Sequence, residues 1–247
     1  MRRPAARTLA TAGRVLRQLR HDPRTVALMF VVPCALETLL RLIYTHRRAS
    51  FDQAGAPLLA IFPLTTVFLV TSIALLRERV SGTLERLLTK PLARLELLGG
   101  YALAFGLLAT AQAGVVSALT LGPLGLRVRG ASVLVVVLAV CVALLGMGLG
   151  LLASAFARSE FQVVQFLPAT ILPQLLLCGL LVARQRMPGA LHALSDALPM
   201  SYAVDGMHHL TLQPGASTAL WGDIAIVLAF AVGALVLGAV TLRRRTE

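Results

Sequence analysis

The residues able to do chemistry are few in this sequence, and they form no familiar catalytic set. The single lysine, Lys90, follows Thr89 and precedes Pro91, so the loop GxxxxGK[ST] that cradles nucleotide phosphates is missing. The adjacent pair His208 and His209 would point in different directions on a helix, which disfavours a metal site. We therefore expect no enzyme and no cofactor in this chain, and any uphill transport would draw its energy from a gradient or a partner.

The composition indicates a protein surrounded by lipid. Of the 247 residues, 57% are hydrophobic and 14% are charged, whereas soluble domains carry about 25% charged residues. A net charge of +12 in a soluble protein would suggest nucleic acid, but here the charges lie at the ends of apolar runs and face lipid headgroups. We expect membrane lipid around the chain and no nucleic acid. The three cysteines fall inside apolar runs and are predicted to be small buried hydrophobes.

The apolar runs predict an all-α, polytopic membrane protein with six transmembrane helices and one domain over residues 1–247. A bilayer crossing needs about 20 mostly apolar residues. A seventh helix, at 4–20, has apolar residues in steps of three and four with arginines opposite, so we expect an amphipathic helix in the membrane interface. Its apolar positions are Ala5, Leu9, Ala12, Leu16 and Leu19. The predicted spans are 26–45, 57–76, 96–124, 131–157, 161–183 and 218–242.

The distribution of basic residues predicts the orientation. With six spans both termini lie on one side, and that side carries sixteen of the basic residues against seven on the other. The excess favours cytoplasmic termini in the plasma membrane. Region 77–93 is then a cytoplasmic loop, and region 184–216 lies on the outer side.

Some polar side chains fall inside the predicted spans. Glu37 and Arg41 are four residues apart on one helix face, so they form either an ion pair or part of a pathway or subunit contact. Gly146 and Gly150 predict a close contact between helices. The glutamines are candidates for hydrogen bonds between helices or for a polar pathway, and those singled out are Gln112, Gln165 and Gln174.

The densest run of charge between two apolar segments is RERVSGTLERLLTKP, residues 77–91. Leu84, Leu87 and Leu88 share one helix face, Ser81 or Thr83 can cap its start, and the proline ends it. This short amphipathic helix is either a solvated loop whose leucines rest on the membrane, or a plug that docks in the groove of a partner.

This stretch, with the ARLELLGGYAL that follows, resembles the cytoplasmic loop of type-2 ABC exporter permeases, which read Arg-Glu-x-x-x-Gly-Thr-Leu-Glu-x-Leu before a proline and a new span. A second match lies in MPGALHALSDALPMSYAVDGMHHL, residues 187–210, where the family carries Met-Pro and then Asn-Pro-x-x-Tyr-x-Val-Asp. The sequence departs from that pattern at Leu198 and Gly206. The likeness extends over nearly the whole chain and is greater to the daunorubicin-export, multidrug-resistance branch.

The resemblance implies a permease subunit of a bacterial exporter. A separate ABC ATPase, with ATP and magnesium, would bind the cytoplasmic face, and a second permease copy or a sister permease would complete the path for a drug, natural product or lipid. The implied outer gate contains Pro199, Tyr202 and Asp205, in a re-entrant region at 184–216. The implied ATPase-coupling residues are Arg77, Glu78, Gly82, Thr83, Leu84, Glu85, Arg86, Leu87 and Leu88.

Two other functions remain open from the sequence. One is a gradient-driven secondary carrier with Glu37 as its proton site. The other is a membrane assembly subunit that transports nothing. A membrane enzyme is disfavoured because no catalytic set is present.

Overall fold

The computed structural model describes residues 4–81 and 94–241, and within them the chain is helical with no strand. Nine α-helices occur in these ranges, with one 3-10 turn at Arg184–Arg186 between the sixth and the seventh. The helices are α1 (Pro4–Arg20), α2 (Pro23–Ile43), α3 (Arg48–Val80), α4 (Arg94–Leu121), α5 (Ser132–Phe156), α6 (Glu160–Leu177), α7 (Gly189–Asp196), α8 (Pro199–Leu212) and α9 (Thr218–Thr241).

Five of the described helices, α2, α3, α4, α5 and α9, are long and apolar enough to cross a membrane. The predicted span 161–183 corresponds to the shorter helix α6, which ends at Leu177. Gly179 has a φ of +93°, a left-handed conformation that ends helices and that glycine adopts without strain. The prediction to residue 183 was therefore too long, because the glycine stops the helix earlier.

Helix α3 is longer than the predicted span 57–76, since it begins at Arg48 and ends at Val80. Pro57 and Pro63 lie inside it, and neighbouring helices can satisfy the carbonyls that proline frees. Phe51, in its first turn, is 1% exposed, so packing holds the helix together well before Pro57. The predicted span 57–76 lies inside this helix, which tertiary contacts extend beyond its apolar run.

Helix α1 spans the residues for which the sequence predicts an amphipathic helix, but its buried side faces protein. Ala12, Val15 and Leu19 are buried in the contact with α4, whereas Leu9 is 64% exposed. The contact is close because Gly100 of α4 has no side chain, and a Cβ there would lie 2.5 Å from Cβ of Thr11. The apolar face of α1 is therefore attached to the helix bundle.

Helix α5 lies at the centre of the bundle, between α3 and α9. A Cβ on Gly146 would lie 2.5 Å from the carbonyl oxygen of Leu64, and one on Gly150 would lie 2.5 Å from that of Phe68. These glycines let the backbones of α3 and α5 touch, as small residues do in membrane helix pairs. The predicted glycine contact is confirmed.

Candidate functional site

The end of α3 leads into the predicted coupling loop, and a buried polar network holds it. Arg77 and Glu78 belong to the last turn of α3, so the first two residues of region 77–93 are helical. Glu78 is 9% exposed, and its Oε2 accepts hydrogen bonds from Nη2 of Arg14, at 2.9 Å, and from the hydroxyl of Tyr101. The same Arg14 nitrogen lies 2.7 Å from the Tyr101 hydroxyl oxygen. The network joins α1, α3 and α4.

The electrostatics of this network favour its charged form. Burial lowers the pKa of the Arg14 guanidinium, but the hydrogen bond to Glu78 and the nearby negative charge outweigh burial and raise the pKa overall. Arg14 therefore stays cationic beside Glu78. Charge-assisted hydrogen bonds of this kind are roughly twice as strong as neutral ones, so this contact is a firm connection between α1 and α3.

A second contact connects α1 to the helix on the other side of the predicted loop. Nη1 of Arg7 lies 3.6 Å from Oε2 of Glu96, in the first turn of α4. Because Glu78 ends α3 and Glu96 begins α4, helix α1 contacts both helices that flank residues 82–93. A displacement of α1 would therefore act on both ends of the predicted loop.

Further contacts join the end of α3 to α5 and α6. Arg77 binds Glu160 in a bidentate manner, with Nε to Oε1 at 2.6 Å and Nη2 to Oε2 at 3.1 Å. Both side chains are about half exposed, so this pair contributes about 1 kcal/mol or less. Arg79 donates to the backbone carbonyl of Ser154 on α5. The residue with the strongest protein contacts at this end is thus Glu78.

The remaining predicted coupling residues lie outside the described residues, and their assignment stays a prediction. They are Gly82, Thr83, Leu84, Glu85, Arg86, Leu87 and Leu88.

Glu37 and Arg41 do not form the ion pair that the sequence permits. Both carboxylate oxygens of Glu37 are buried, with no hydrogen-bond partner among the described residues. Nε of Arg41 instead donates to the carbonyl of Leu124 at 3.1 Å, and its guanidinium lies 5.4 Å from the ring centroid of Phe51. The ion-pair interpretation is wrong because Arg41, near the end of α2, turns to the carbonyl of Leu124 and the ring of Phe51 and not to Glu37.

Gln112 bonds helices to each other, which was one of the two roles expected for it. Its Nε2 donates to the carbonyl of Met29 on α2 and to Oγ1 of Thr66 on α3, each at 2.6 Å. Gln174 instead bonds within α6, to the carbonyl of Thr170 at 3.0 Å, and Gln165 is exposed. The structure therefore groups Glu37, Arg41 and Gln112 along α2 and α4, whereas Gln165 and Gln174 lie apart on α6.

Two of the three predicted gate residues, Tyr202 and Asp205, contact an arginine. Arg184 donates to the carboxylates of Asp205 and Asp196, and its guanidinium lies 5.5 Å from the ring centroid of Tyr202. The Tyr202 hydroxyl donates to the carbonyl of Asp196 at 2.7 Å. Pro199 begins α8 and is buried. Arg184 thus joins the 3-10 turn to α7 and α8 and fixes the arrangement of the whole region.

A second pair of titratable residues lies next to this cluster. Nδ1 of His209 lies 3.2 Å from Oδ2 of Asp223 on α9. A metal site would require three or more His, Cys, Asp or Glu side chains close together. No such group occurs in residues 4–81 and 94–241.

The sequence of the chain places it among known transporters. Residues 7–212 match the ABC-2 type transporter family. The chain belongs to this family. The match includes α1 through α8, and therefore both polar networks described above.

Several curated proteins of the family are similar to this chain. It is 28% identical over 183 residues to the probable multidrug ABC transporter permease YbhS of Escherichia coli. The aligned region covers 72% of this chain and 48% of that protein. It is 27% identical over 169 residues to the linearmycin resistance permease protein LnrN of Bacillus subtilis, with 68% and 44% covered. ABC transporter G family member 20 of Dictyostelium discoideum is 25% identical over 179 residues, with 72% and 24% covered. The chain spans less than half the length of each of these relatives.

Sequence reasoning missed four residues that organise this ABC-2 transporter chain: Arg14, Tyr101, Arg184 and Asp196. Arg14 was placed on the solvated side of α1, and Arg184 was counted only for orientation. A signal existed for Tyr101, because it directly follows the glycines of LELLGGYAL, and small residues mark a close helix contact. No periodic pattern marks Arg184, since it lies in a 3-10 turn and its partners come from two short helices, α7 and α8.

Proposed function

We propose that this chain is a permease subunit of an ABC exporter, driven by a separate ATPase. With a second permease, identical or related, it would form the path for a lipophilic or amphipathic substrate such as a drug, a natural product or a lipid. Family membership supports the general assignment. The observation that carries the mechanism is the position of α1, which contacts Glu78 at the end of α3 and Glu96 at the start of α4.

The contacts suggest how ATP hydrolysis in a partner would reach the membrane. An ATPase that binds residues 82–93 and α1 would displace α1 together with α3 and α4, the two helices that flank residues 82–93. Gly100 packs under Thr11, and Arg14 holds Glu78, so α1 would carry α3 and α4 with it. Glu78 is then a positioning residue within the permease, and residues 82–93 would contact the ATPase.

The orientation that suits this mechanism has both termini in the cytoplasm, with α6 as the sixth crossing. Helix α1 would lie in the cytoplasmic interface with its exposed Arg17 and Arg20 toward lipid headgroups. The cluster around Arg184 would then lie on the outer side. Tyr202 and Asp205 would act there as a gate, because release of Arg184 together with the Tyr202–Asp196 hydrogen bond would loosen α7 from α8.

A co-purification experiment tests the proposal. The tagged chain would be isolated from detergent-solubilised membranes of its own host, and vanadate-sensitive ATPase activity measured in the eluate. The test variant is Glu85→Arg with Leu87→Asp, in the predicted loop. The matched control is Gln213→Arg with Leu212→Asp, which introduces the same two side chains at exposed positions at the end of α8.

We expect ATPase activity with the wild type and with the control, and its loss with the loop variant. Size-exclusion profiles would establish that all three chains are folded. A folded wild type without ATPase activity contradicts the proposal, and equal loss in the control variant contradicts the docking role of the loop.

One observation favours a second candidate, a gradient-driven carrier. Glu37 is a fully buried carboxyl group without a partner in the described chain, and intramembrane ionisable groups often mark ion pathways. This function requires Glu37 for transport, whereas the ABC function does not.

A further inference from the structure

The corner between α1 and α2, residues 14–24, carries a basic hollow on the surface of the chain. The hollow has a volume of about 460 Å³ and is lined by Arg14, Arg17, Gln18 and His21. Arg14, Arg17 and His21 follow each other at steps of three and four residues, so they lie on one face at the end of α1. Two guanidinium groups therefore face one open concave surface.

The two ion pairs next to the hollow carry no net charge. Arg14 is paired with Glu78 at 2.9 Å, and Arg77 is paired with Glu160 at 2.6 Å. In each pair one positive and one negative charge cancel. The net charge of the corner is therefore set by its other ionic residues.

Those other residues leave the corner positive. Residues 15–24 contain three exposed arginines, Arg17, Arg20 and Arg24, and one acid, Asp22. Three positive charges less one negative charge give an excess of two. Asp22 is satisfied within the chain, because it caps α2 and also lies in the electrostatic field of Arg77 and Arg24.

Arg17 is the residue of the hollow best placed to bind an anion. Its Nε donates to the carbonyl of Gly13 at 3.2 Å, and its two Nη groups have no partner in the described parts of the chain. Nδ1 of His21 lies 2.7 Å from the carbonyl oxygen of Arg17, so the imidazole ring stays on the same face. The planar guanidinium of arginine matches the oxygens of a phosphate group in a bidentate manner.

An apolar cavity begins next to the hollow. Gln18 lines both, and the cavity, of about 600 Å³, lies between α1, α2, α3 and α4. Met29, Ile73 and Phe105 belong to its apolar walls. Leu28, at its edge, is 61% exposed on a helix long and apolar enough to cross a membrane. A charged hollow and an apolar cavity open towards lipid thus lie side by side.

We propose that this corner binds an anionic phospholipid, with its phosphate at Arg17 in the hollow and one acyl chain in the cavity. A phospholipid uses both parts of the site, whereas a free phosphate or an acidic peptide would use the hollow alone. The preference comes from the headgroup, because an acyl chain gains little by moving from lipid into an equally apolar cavity.

The expected preference follows from the charge of one arginine. An arginine near an anionic lipid surface improves binding about fivefold, which corresponds to about 1 kcal/mol. The inference goes beyond the proposed function, since lipid binding needs neither ATP nor a partner. The proposed orientation decides only that the lipid belongs to the cytoplasmic leaflet.

Photolabelling with two lipids that differ only in their headgroup tests the site. The full chain, in phosphatidylcholine nanodiscs without ATP, would be labelled with phosphatidylglycerol that carries a diazirine in one acyl chain. Phosphatidylcholine with the same diazirine chain is the zwitterionic probe, and mass spectrometry would assign the labelled residues. We expect the anionic probe to label residues 66–77 of α3, which contribute to the cavity, about fivefold more than the zwitterionic probe. The exposed side of α9, at 228–236, should be labelled equally by both.

Two variants separate the headgroup from the chain. Arg17→Gln removes the charge but keeps a good helix former, so anionic labelling of 66–77 should fall to the zwitterionic level. Its matched control is Arg158→Gln, which removes the same charge from an exposed position between α5 and α6 and should label like the wild type. Ala74→Phe fills the cavity and should reduce labelling of α3 by both probes. Its control is Val31→Phe, on the exposed side of α2.

Equal labelling of 66–77 by both probes in the wild type would overturn the inference, and so would an unchanged preference in Arg17→Gln or an equal loss in Arg158→Gln. If excess inorganic phosphate at constant ionic strength abolished the preference, the hollow would be a site for a free anion and not for a lipid. A chain that captures the ATPase but fails these tests loses only the lipid site. A chain that passes them but captures no ATPase keeps the site and loses the proposed function.

Discussion

Arg14 of α1 donates a 2.9 Å hydrogen bond to Glu78 of α3, and this contact connects a helix predicted at the membrane surface to a helix that crosses the bilayer. Glu78 lies next to Arg77 at the end of α3, where the predicted coupling loop begins. The contact gives Glu78 a partner inside its own chain. Under the proposed function, Glu78, which the resemblance assigns to ATPase coupling, would hold the helices that the ATPase moves.

Glu78→Gln should uncouple the permease without preventing its assembly. The variant keeps the shape of the side chain but loses the charge that Arg14 binds, so we expect a loss of about 2 kcal/mol in stability. The ATPase should still co-purify, but substrate should no longer stimulate its activity. A double-mutant cycle with Arg14→Gln, measured by thermal unfolding, should give a coupling energy of about 1–3 kcal/mol. Additive effects would mean that the pair does not interact, and unchanged stimulation would contradict its role in coupling.

Gly150→Ala should destabilise the bundle. The added Cβ would lie 2.5 Å from the backbone carbonyl oxygen of Phe68, so α3 and α5 would have to separate, at a cost of about 1–3 kcal/mol. Gly233→Ala on α9 is the matched control, because its Cβ would meet nothing within 4 Å. Thermal unfolding should show a lower melting temperature for the first variant alone. Equal melting temperatures would mean that α3 and α5 can separate without cost.

The helices could be predicted from the sequence much better than the contacts that make the site. Apolar runs and the arginine-rich periodicity of α1 are local properties, and the glycines of α5 mark a close approach by their spacing. The partners of Arg14 and Arg184 come from elements far apart in the chain, and no local pattern identifies them. For Arg41, sequence spacing suggested Glu37 as the partner, but the three-dimensional arrangement offers the carbonyl of Leu124 instead.

His208 should make stability depend on pH. Burial lowers the pKa of His208 below 6.5, and this effect outweighs the charge of Asp205 and the carbonyl of Gln53, which favour the protonated ring. The unfolded chain therefore binds a proton more readily than the folded chain below pH of about 6.5, so stability should fall as the pH drops. His209 and Asp223 also lie nearby, and the comparison must isolate His208.

The measurement is the apparent melting temperature at a fixed scan rate between about pH 7.5 and about pH 5, a window that brackets the ordinary pKa of histidine. The wild type should lose more stability over this range than His208→Gln, which cannot gain the proton. His192→Gln is the control, since the side chain of His192 is 43% exposed and its Nδ1 lies 3.4 Å from Oδ2 of Asp196 on α7. Parallel curves for the wild type and His208→Gln would contradict the prediction.

Glu37→Gln should leave ATP-driven transport intact if the proposed function is right. The carboxyl group is buried and no described group bonds to it, so an amide of similar size should cost no stability and can raise the melting temperature. Inside-out vesicles would be assayed for ATP-dependent uptake of a fluorescent lipophilic amine, with and without a protonophore. Uptake that persists in the variant and in the presence of the protonophore fits an ABC permease. The gradient-driven carrier would instead be established by uptake that needs no ATP and stops with the protonophore. That uptake should be lost in Glu37→Gln but kept in Gln112→Ala, because Glu37 can carry a proton and Gln112 cannot.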